Sequence, residues 1–95
     1  MKTMDKRSLL ALLFKNLKQK RAQRVRDLLH SHWQAMFNDH FLANCRFVDY
    51  KRNTVYLQVP KDRLQLITAE MARIDEMFSA LLGKDHYRKT VISEP

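Results

Sequence analysis

The chain has very little glycine, proline or cysteine. Its 95 residues include one Gly, two Pro and one Cys. A single glycine excludes the Gly-rich loops that cradle phosphates and leaves no flexible linkers. A single cysteine, Cys45, excludes an internal disulfide bond and suits a reducing cytoplasm. Helices and strands must therefore be joined by short polar turns.

Long apolar runs are also missing. The longest, LLALLF, covers residues 9–14, far short of the roughly 20 residues that a transmembrane helix needs. No small-residue cleavage site follows it, so a secretory signal is not expected either. We expect one cytoplasmic domain over residues 1–95, with no membrane partner.

Positive charge is present, and it is unevenly distributed. Residues 1–26 contain nine of the 18 Lys and Arg residues and only one acid, Asp5, whereas residues 27–95 are neutral overall. An unpaired basic segment of this kind favours a polyanion as partner, ahead of an anionic membrane surface or mere solubility. The residues predicted to contact phosphates are Lys15, Lys18, Lys20, Arg21, Arg24 and Arg26, with Lys51 and Arg52 as a second patch.

The front half has the apolar spacing of helices. A first helix is predicted over residues 6–17, with leucines on one side, and a second over residues 21–43. A break near residues 18–20 is favoured, although one continuous helix is left open. The apolar stripe of the second helix includes Trp33, Met36 and Phe37, which predicts that Trp33 is a core residue.

The pattern then changes to that of strands. Residues 45–50 and 54–59 are rich in β-branched and aromatic side chains. The turn between them contains Asn53, the residue best able to take a left-handed conformation. Tyr50 and Tyr56 are expected at the surface. There Tyr56 either stacks a base or, in the favoured interpretation, packs across the strands.

A third helix and a last strand complete the prediction. Asp62 is the expected N-cap of the helix and Gly83 its end, because apolar residues recur every three or four positions between them. Residues 87–92 are predicted to form a strand that pairs with the hairpin. The order α-α-β-β-α-β indicates an α+β domain with helices packed on one face of a three-stranded sheet.

This order resembles the DciA family. The resemblance covers nearly the whole chain and rests on the leucine-rich residues 9–17, Trp33 with Met36 and Phe37, the segment NTVYLQV at 53–59, and the helix end LLG at 81–83. It implies a KH-like fold, related to the N-terminal domain of the initiator DnaA. It also implies an accessory role in bacterial DNA replication, with binding to DNA and to a replicative helicase of the DnaB type. The G-x-x-G loop with which KH domains clamp RNA is absent, so KH-type RNA recognition is not expected.

No catalytic or metal-binding pattern stands out. His30, His32, His40 and Cys45 lack the spacing of a zinc site, and Cys45 with His40 has no orienting group for nucleophilic chemistry. We therefore expect neither an enzyme nor a bound cofactor.

The residues and the resemblance together favour a noncatalytic, nucleoid-associated protein. It would bind DNA without sequence specificity and dock on the replicative helicase to assist its loading. The alternative is a protein–protein adaptor of the DnaA N-terminal or clamp-loader C-terminal kind, without DNA binding of its own. A weak homo-oligomer is left open, with the leucine face of the first helix as an oligomer or partner surface.

Overall fold

The computed structural model describes residues 22–38 and 41–95. The first predicted helix, residues 6–17, therefore lies outside the described residues. In chain order the elements are α1 (Ala22–Phe37), β1 (Arg46–Lys51), β2 (Thr54–Gln58), a 3₁₀ turn (Lys61–Arg63), α2 (Leu64–Ala69), α3 (Met71–Leu82) and β3 (Lys89–Ser93).

The three strands form one mixed sheet in the order β1-β2-β3. β1 pairs with β2 in antiparallel fashion, and β3 lies parallel to β2 on the other side. A bulge at Val48 lets Phe47 pair with Leu57 and Asp49 pair with Tyr56. The α+β class and the small sheet with helices on one face confirm the predicted fold class and are consistent with a KH-like arrangement.

One face of the sheet carries the hydrophobic core, to which the described helices contribute their buried side chains. Trp33 of α1 is buried, as predicted, and its indole Nε1 donates to the backbone oxygen of Cys45 over 2.9 Å. The Trp33 ring lies 4.4 Å from Phe37 and 6.3 Å from Phe78 of α3, between ring centroids. The strand residues on this core face are Phe47, Tyr50, Val55, Leu57, Thr90 and Ile92.

The opposite face, called the outer face below, follows from the alternation of side chains along each strand. None of the described helices contributes to a second core on that side. Its residues are Arg46, Asp49 and Lys51 of β1, Thr54, Tyr56 and Gln58 of β2, and Lys89, Val91 and Ser93 of β3.

The second helix ends earlier than predicted. It stops at Phe37, and the chain turns before Cys45, whose N–H donates to the oxygen of Leu42 over 2.9 Å. The prediction of a helix to residue 43 was wrong because continued helix would carry the chain away from the sheet. The turn instead buries both Leu42 and Cys45 in the core.

The third predicted helix is divided at Glu70. Its backbone (φ −101°, ψ 15°) departs from the helical values, and its N–H lies 3.2 Å from the Leu66 oxygen and 3.1 Å from the Ile67 oxygen. Asp62 was wrongly predicted as the N-cap. It lies inside the 3₁₀ turn that follows Pro60, and no side-chain capping bond is made there. Gly83 ends the helix with φ 91°, which confirms that prediction.

Two tyrosines tie the C-terminal segment to the rest of the fold. The expectation that Tyr50 is exposed was wrong: it is 1% exposed, and its hydroxyl donates to the backbone oxygen of His86. The buried Tyr87 hydroxyl donates to the carboxylate of Asp75 and lies 2.7 Å from the Thr90 hydroxyl. Burial, reinforced by the Asp75 acceptor, raises the pKa of Tyr87.

Within the described residues, no helix is long and apolar enough to cross a membrane.

The Tyr50 hydroxyl provides a direct test of how the hairpin is held. In Tyr50→Phe the His86 oxygen, in a partly buried position, loses its donor, so the free energy of unfolding should fall by about 1 kcal/mol in urea denaturation. Tyr56→Phe is the matched control, because no bond of the Tyr56 hydroxyl is seen within the described residues, and it should change stability by less than about 0.5 kcal/mol. Equal losses in the two variants would contradict the role given to Tyr50.

Candidate nucleic-acid interface

The hairpin turn presents two of the predicted cations. Arg52 (φ 53°) and Asn53 (φ 60°) are both left-handed, as a two-residue type I′ turn requires. This confirms the conformation predicted for Asn53, while the second left-handed residue, Arg52, was not anticipated. Lys51 and Arg52 are both exposed. The tight turn thus holds two cationic side chains at one end of the sheet.

The beginning of β3 lies against this turn. The N–H of Arg88 donates to the Asn53 oxygen over 2.6 Å, and Asn53 Nδ2 donates to the Asp85 oxygen over 3.3 Å. Lys89 pairs with Thr54, which in turn pairs with Lys51 across β1 and β2. Two segments distant in sequence therefore bring four exposed cations together. We call Lys51, Arg52, Arg88 and Lys89 the hairpin cluster.

The positive charges of the hairpin cluster are not paired within the described residues. Among the described residues, none of its four side chains forms an ion pair; Asp85 lies beside the cluster, and Lys51 acts electrostatically on the Asp49 carboxylate. Lys51 Nζ lies 5.2 Å from the ring centroid of Tyr56, which makes a cation–π contact on the outer face. Exposed, unpaired Lys and Arg side chains at one edge are suited to phosphate oxygens, which they would bind without reading the bases.

Arg88 and Lys89 were missed by the sequence analysis. The strand containing them was predicted, yet its direction and neighbour were not. Only parallel pairing with β2 places the start of β3 beside the hairpin turn. The available signal was the adjacent RK pair at the start of the last strand, which by charge alone does not differ from a solvated surface pair.

The Arg26 side chain contacts β1. Its Nε lies 2.5 Å from Asp49 Oδ1, and its Nη2 donates to the backbone oxygen of Tyr50 over 2.9 Å. These two contacts fasten α1 to the edge of β1. These contacts involve Nε and Nη2, and the predicted phosphate contact of Arg26 stays a prediction.

The pairing with Arg26 affects the pKa of Asp49. Burial by itself would raise the pKa of its carboxyl, but the N–H of Tyr50, the Arg26 guanidinium and, to a smaller extent, the Lys51 ammonium outweigh burial and hold the pKa below its ordinary value. The carboxylate is consequently ionised at neutral pH, and its charge is neutralised within the fold.

The other predicted phosphate contacts are only partly described. Arg24 is exposed on α1. Lys15, Lys18, Lys20 and Arg21 lie outside the described residues. The described part of the molecule thus joins Lys51 and Arg52 to two new cations and leaves Arg24 on a separate element.

Within the described residues, the histidines and the cysteine do not form a cluster. The His30 ring packs edge-on against Phe47 at 4.7 Å between centroids. Cys45 is buried, and burial raises the pKa of its thiol although Arg63 opposes this. His40 lies outside the described residues, and no group of three or more potential metal ligands occurs within them.

A shallow open groove lies on α3, away from the hairpin cluster. It has a volume of about 330 Å³ and is lined by Phe41, Arg73, Glu76, Met77 and Ala80. The Arg73 guanidinium carbon lies 4.9 Å from the centroid of the Phe41 ring. Its mixture of apolar and charged walls is more typical of a protein contact than of an enclosed site for a small molecule.

Comparison with known proteins finds no family model, no curated protein and no solved structure that matches this chain. The resemblance to the DciA family therefore stays a prediction.

The Arg26–Asp49 pair should make stability depend on acid pH. Because the folded-state pKa of Asp49 is depressed, its contribution is present above the unfolded pKa of about 3.9 and is lost as the pH falls through the folded value. Asp49→Asn keeps an acceptor for the Tyr50 N–H and removes only the charge. It should be less stable than the parent in urea denaturation at pH 7 and equally stable near pH 2. A difference that stays constant over this range would contradict the pairing.

Proposed function

We propose that the protein is a noncatalytic DNA-binding accessory factor of replication, which holds DNA through phosphate contacts and docks on a replicative helicase of the DnaB type. DNA binding is supported chiefly by the hairpin cluster, in which four exposed cations from two distant segments, with no ion pair to any described residue, meet at one end of the sheet. The helicase half is supported by the resemblance to the DciA family alone.

The charge distribution of the whole chain supports the same proposal. The basic residues 1–26 account for the formal net charge of +8. The hairpin cluster adds a second site within a remainder that is neutral overall. Phosphate contacts made by Lys and Arg produce binding that is insensitive to sequence and strongly dependent on salt. We expect both properties here.

A second candidate function is a protein–protein adaptor without DNA binding. It is favoured by the groove beside Phe41 and Met77, whose partly apolar walls suit a partner protein. An adaptor would co-elute with the helicase in gel filtration and would leave DNA unbound.

Fluorescence anisotropy with labelled DNA across a salt series tests the DNA-binding half. The affinity of the parent chain should fall steeply with salt. The double variant Arg52→Gln/Arg88→Gln should bind more weakly at low salt. It should also lose about 1.4 units of log–log slope on single strands, because each phosphate contact contributes about 0.7.

Lys61→Gln is the matched control for charge. Lys61 is exposed on the 3₁₀ turn after β2, beyond the end of that strand that lies opposite the hairpin. Its removal should leave the slope unchanged. Weak binding by the parent that does not respond to salt would refute DNA binding and favour the adaptor.

Gel filtration with a hexameric helicase of the DnaB type tests the second half. We expect the parent chain and the Arg52→Gln/Arg88→Gln variant to co-elute with the hexamer, because the cluster is assigned to DNA and not to the helicase. If the parent chain does not co-elute, the proposed docking on the helicase is refuted. The DNA-binding proposal is not affected by that outcome.

A further inference from the structure

The outer face of the sheet has an aromatic ring at its centre and cations at its margins. The pairing registers arrange its nine residues in three rows across the strands. Tyr56 occupies the middle of the middle row, between Asp49 and Val91. The row at the hairpin end is Lys51, Thr54 and Lys89, and the row at the other end is Arg46, Gln58 and Ser93.

The hairpin-end row lies within reach of the Tyr56 ring. Neighbouring strands are about 4.8 Å apart, which places the Cα atoms of Lys51 and Lys89 about 10 Å from each other. Both lysines are diagonal neighbours of Tyr56, at a distance that long side chains span. Lys51 already does so, with Nζ 5.2 Å from the ring centroid.

The single acid in the middle row does not cancel this positive margin. Asp49 is paired with Arg26 at 2.5 Å, and its pKa lies below the ordinary value mainly through the Tyr50 N–H and Arg26, with a smaller electrostatic contribution from Lys51. Lys51, Lys89 and Arg46 have no ion pair among the described residues. The outer face is therefore cationic around a half-buried ring.

We propose that the outer face binds single-stranded DNA, with one base stacked on Tyr56 and the adjoining phosphates on Lys51 and Lys89. This inference rests on the proposed DNA-binding function and assigns its strand type. A duplex keeps its bases stacked inside and presents only phosphates to a flat face, whereas a single strand can place a base on an aromatic side chain. A central ring therefore gains nothing from a duplex.

The position of Lys51 over the ring is compatible with this role. In the free protein its ammonium group makes a cation–π contact at the surface, which is weaker than the stacking of a base. When a base stacks, Lys51 exchanges the ring for a phosphate of the same strand. The side chain that covers the ring in the free protein thus becomes a ligand of the bound strand.

The test compares two substitutions of Tyr56 on three ligands. Tyr56→Val removes the ring and keeps a good strand former, and Tyr56→Phe keeps the ring. The probes are a labelled oligothymidine of about 12 nucleotides, an abasic strand of equal length and charge, and a duplex of equal length. Thermal unfolding of each variant checks that the fold is intact.

We expect Tyr56→Val to bind oligothymidine about fivefold or more weakly than the parent. Tyr56→Phe should stay within about twofold. The affinities of both variants for the abasic strand and the duplex should equal those of the parent, a pattern that a merely structural role for Tyr56 would not produce.

Other outcomes separate this inference from the proposed function. If the parent binds all three ligands and Tyr56→Val binds oligothymidine as well as the parent does, the stacking site is refuted while DNA binding stands. Equal weakening on all three ligands would also refute it. If the parent binds no DNA at all, the proposed function itself fails. A separate titration of the parent with oligouridine of equal length checks the assignment to DNA, which tighter binding of oligouridine than of oligothymidine would overturn.

Discussion

The parallel pairing of β3 with β2 is the constraint on which the rest of this structure depends. β2 lies in the centre of the sheet, bonded to its hairpin partner on one side and to the last strand on the other. A parallel neighbour requires a crossover, and here the 3₁₀ turn, α2 and α3 provide it. The crossover closes the core over one face and returns the chain to the hairpin end. Both the core and the cationic cluster follow from that return.

Polar groups inside the core hold this arrangement in register. Trp33 fastens α1 to the residue before β1, Tyr50 fastens the hairpin to the loop after α3, and Tyr87 fastens α3 to β3. Each buried donor has an acceptor on a different segment, so a shifted register would leave both groups unsatisfied. The aromatic bodies of the same residues supply apolar area, which explains how a small domain with a single glycine specifies one packing.

The same geometry determines where the candidate functional surfaces lie. Antiparallel and parallel neighbours bring Lys51 and Lys89 to either side of Thr54, and alternation brings Tyr56 to the centre of the outer face. Arg26 differs from these two lysines, because it forms an ion pair and a hydrogen bond that attach α1 to β1. The fold thus divides the cations of the sequence into those that hold elements together and those that stay exposed.

The sequence by itself determined the features that depend on neighbouring residues. These are the basic front segment, the hairpin with a left-handed Asn53, the helix end at Gly83 and the buried stripe through Trp33. These features reflect local conformational preference and periodicity, which nearby residues decide. The tertiary structure alone decided that Tyr50 is buried, that Arg26 is paired, and that Arg88 and Lys89 join the hairpin. The reason is physical. These outcomes depend on contacts between segments as far apart as the 36 residues from Tyr50 to His86, and no local pattern encodes which distant strand will pair or in which direction.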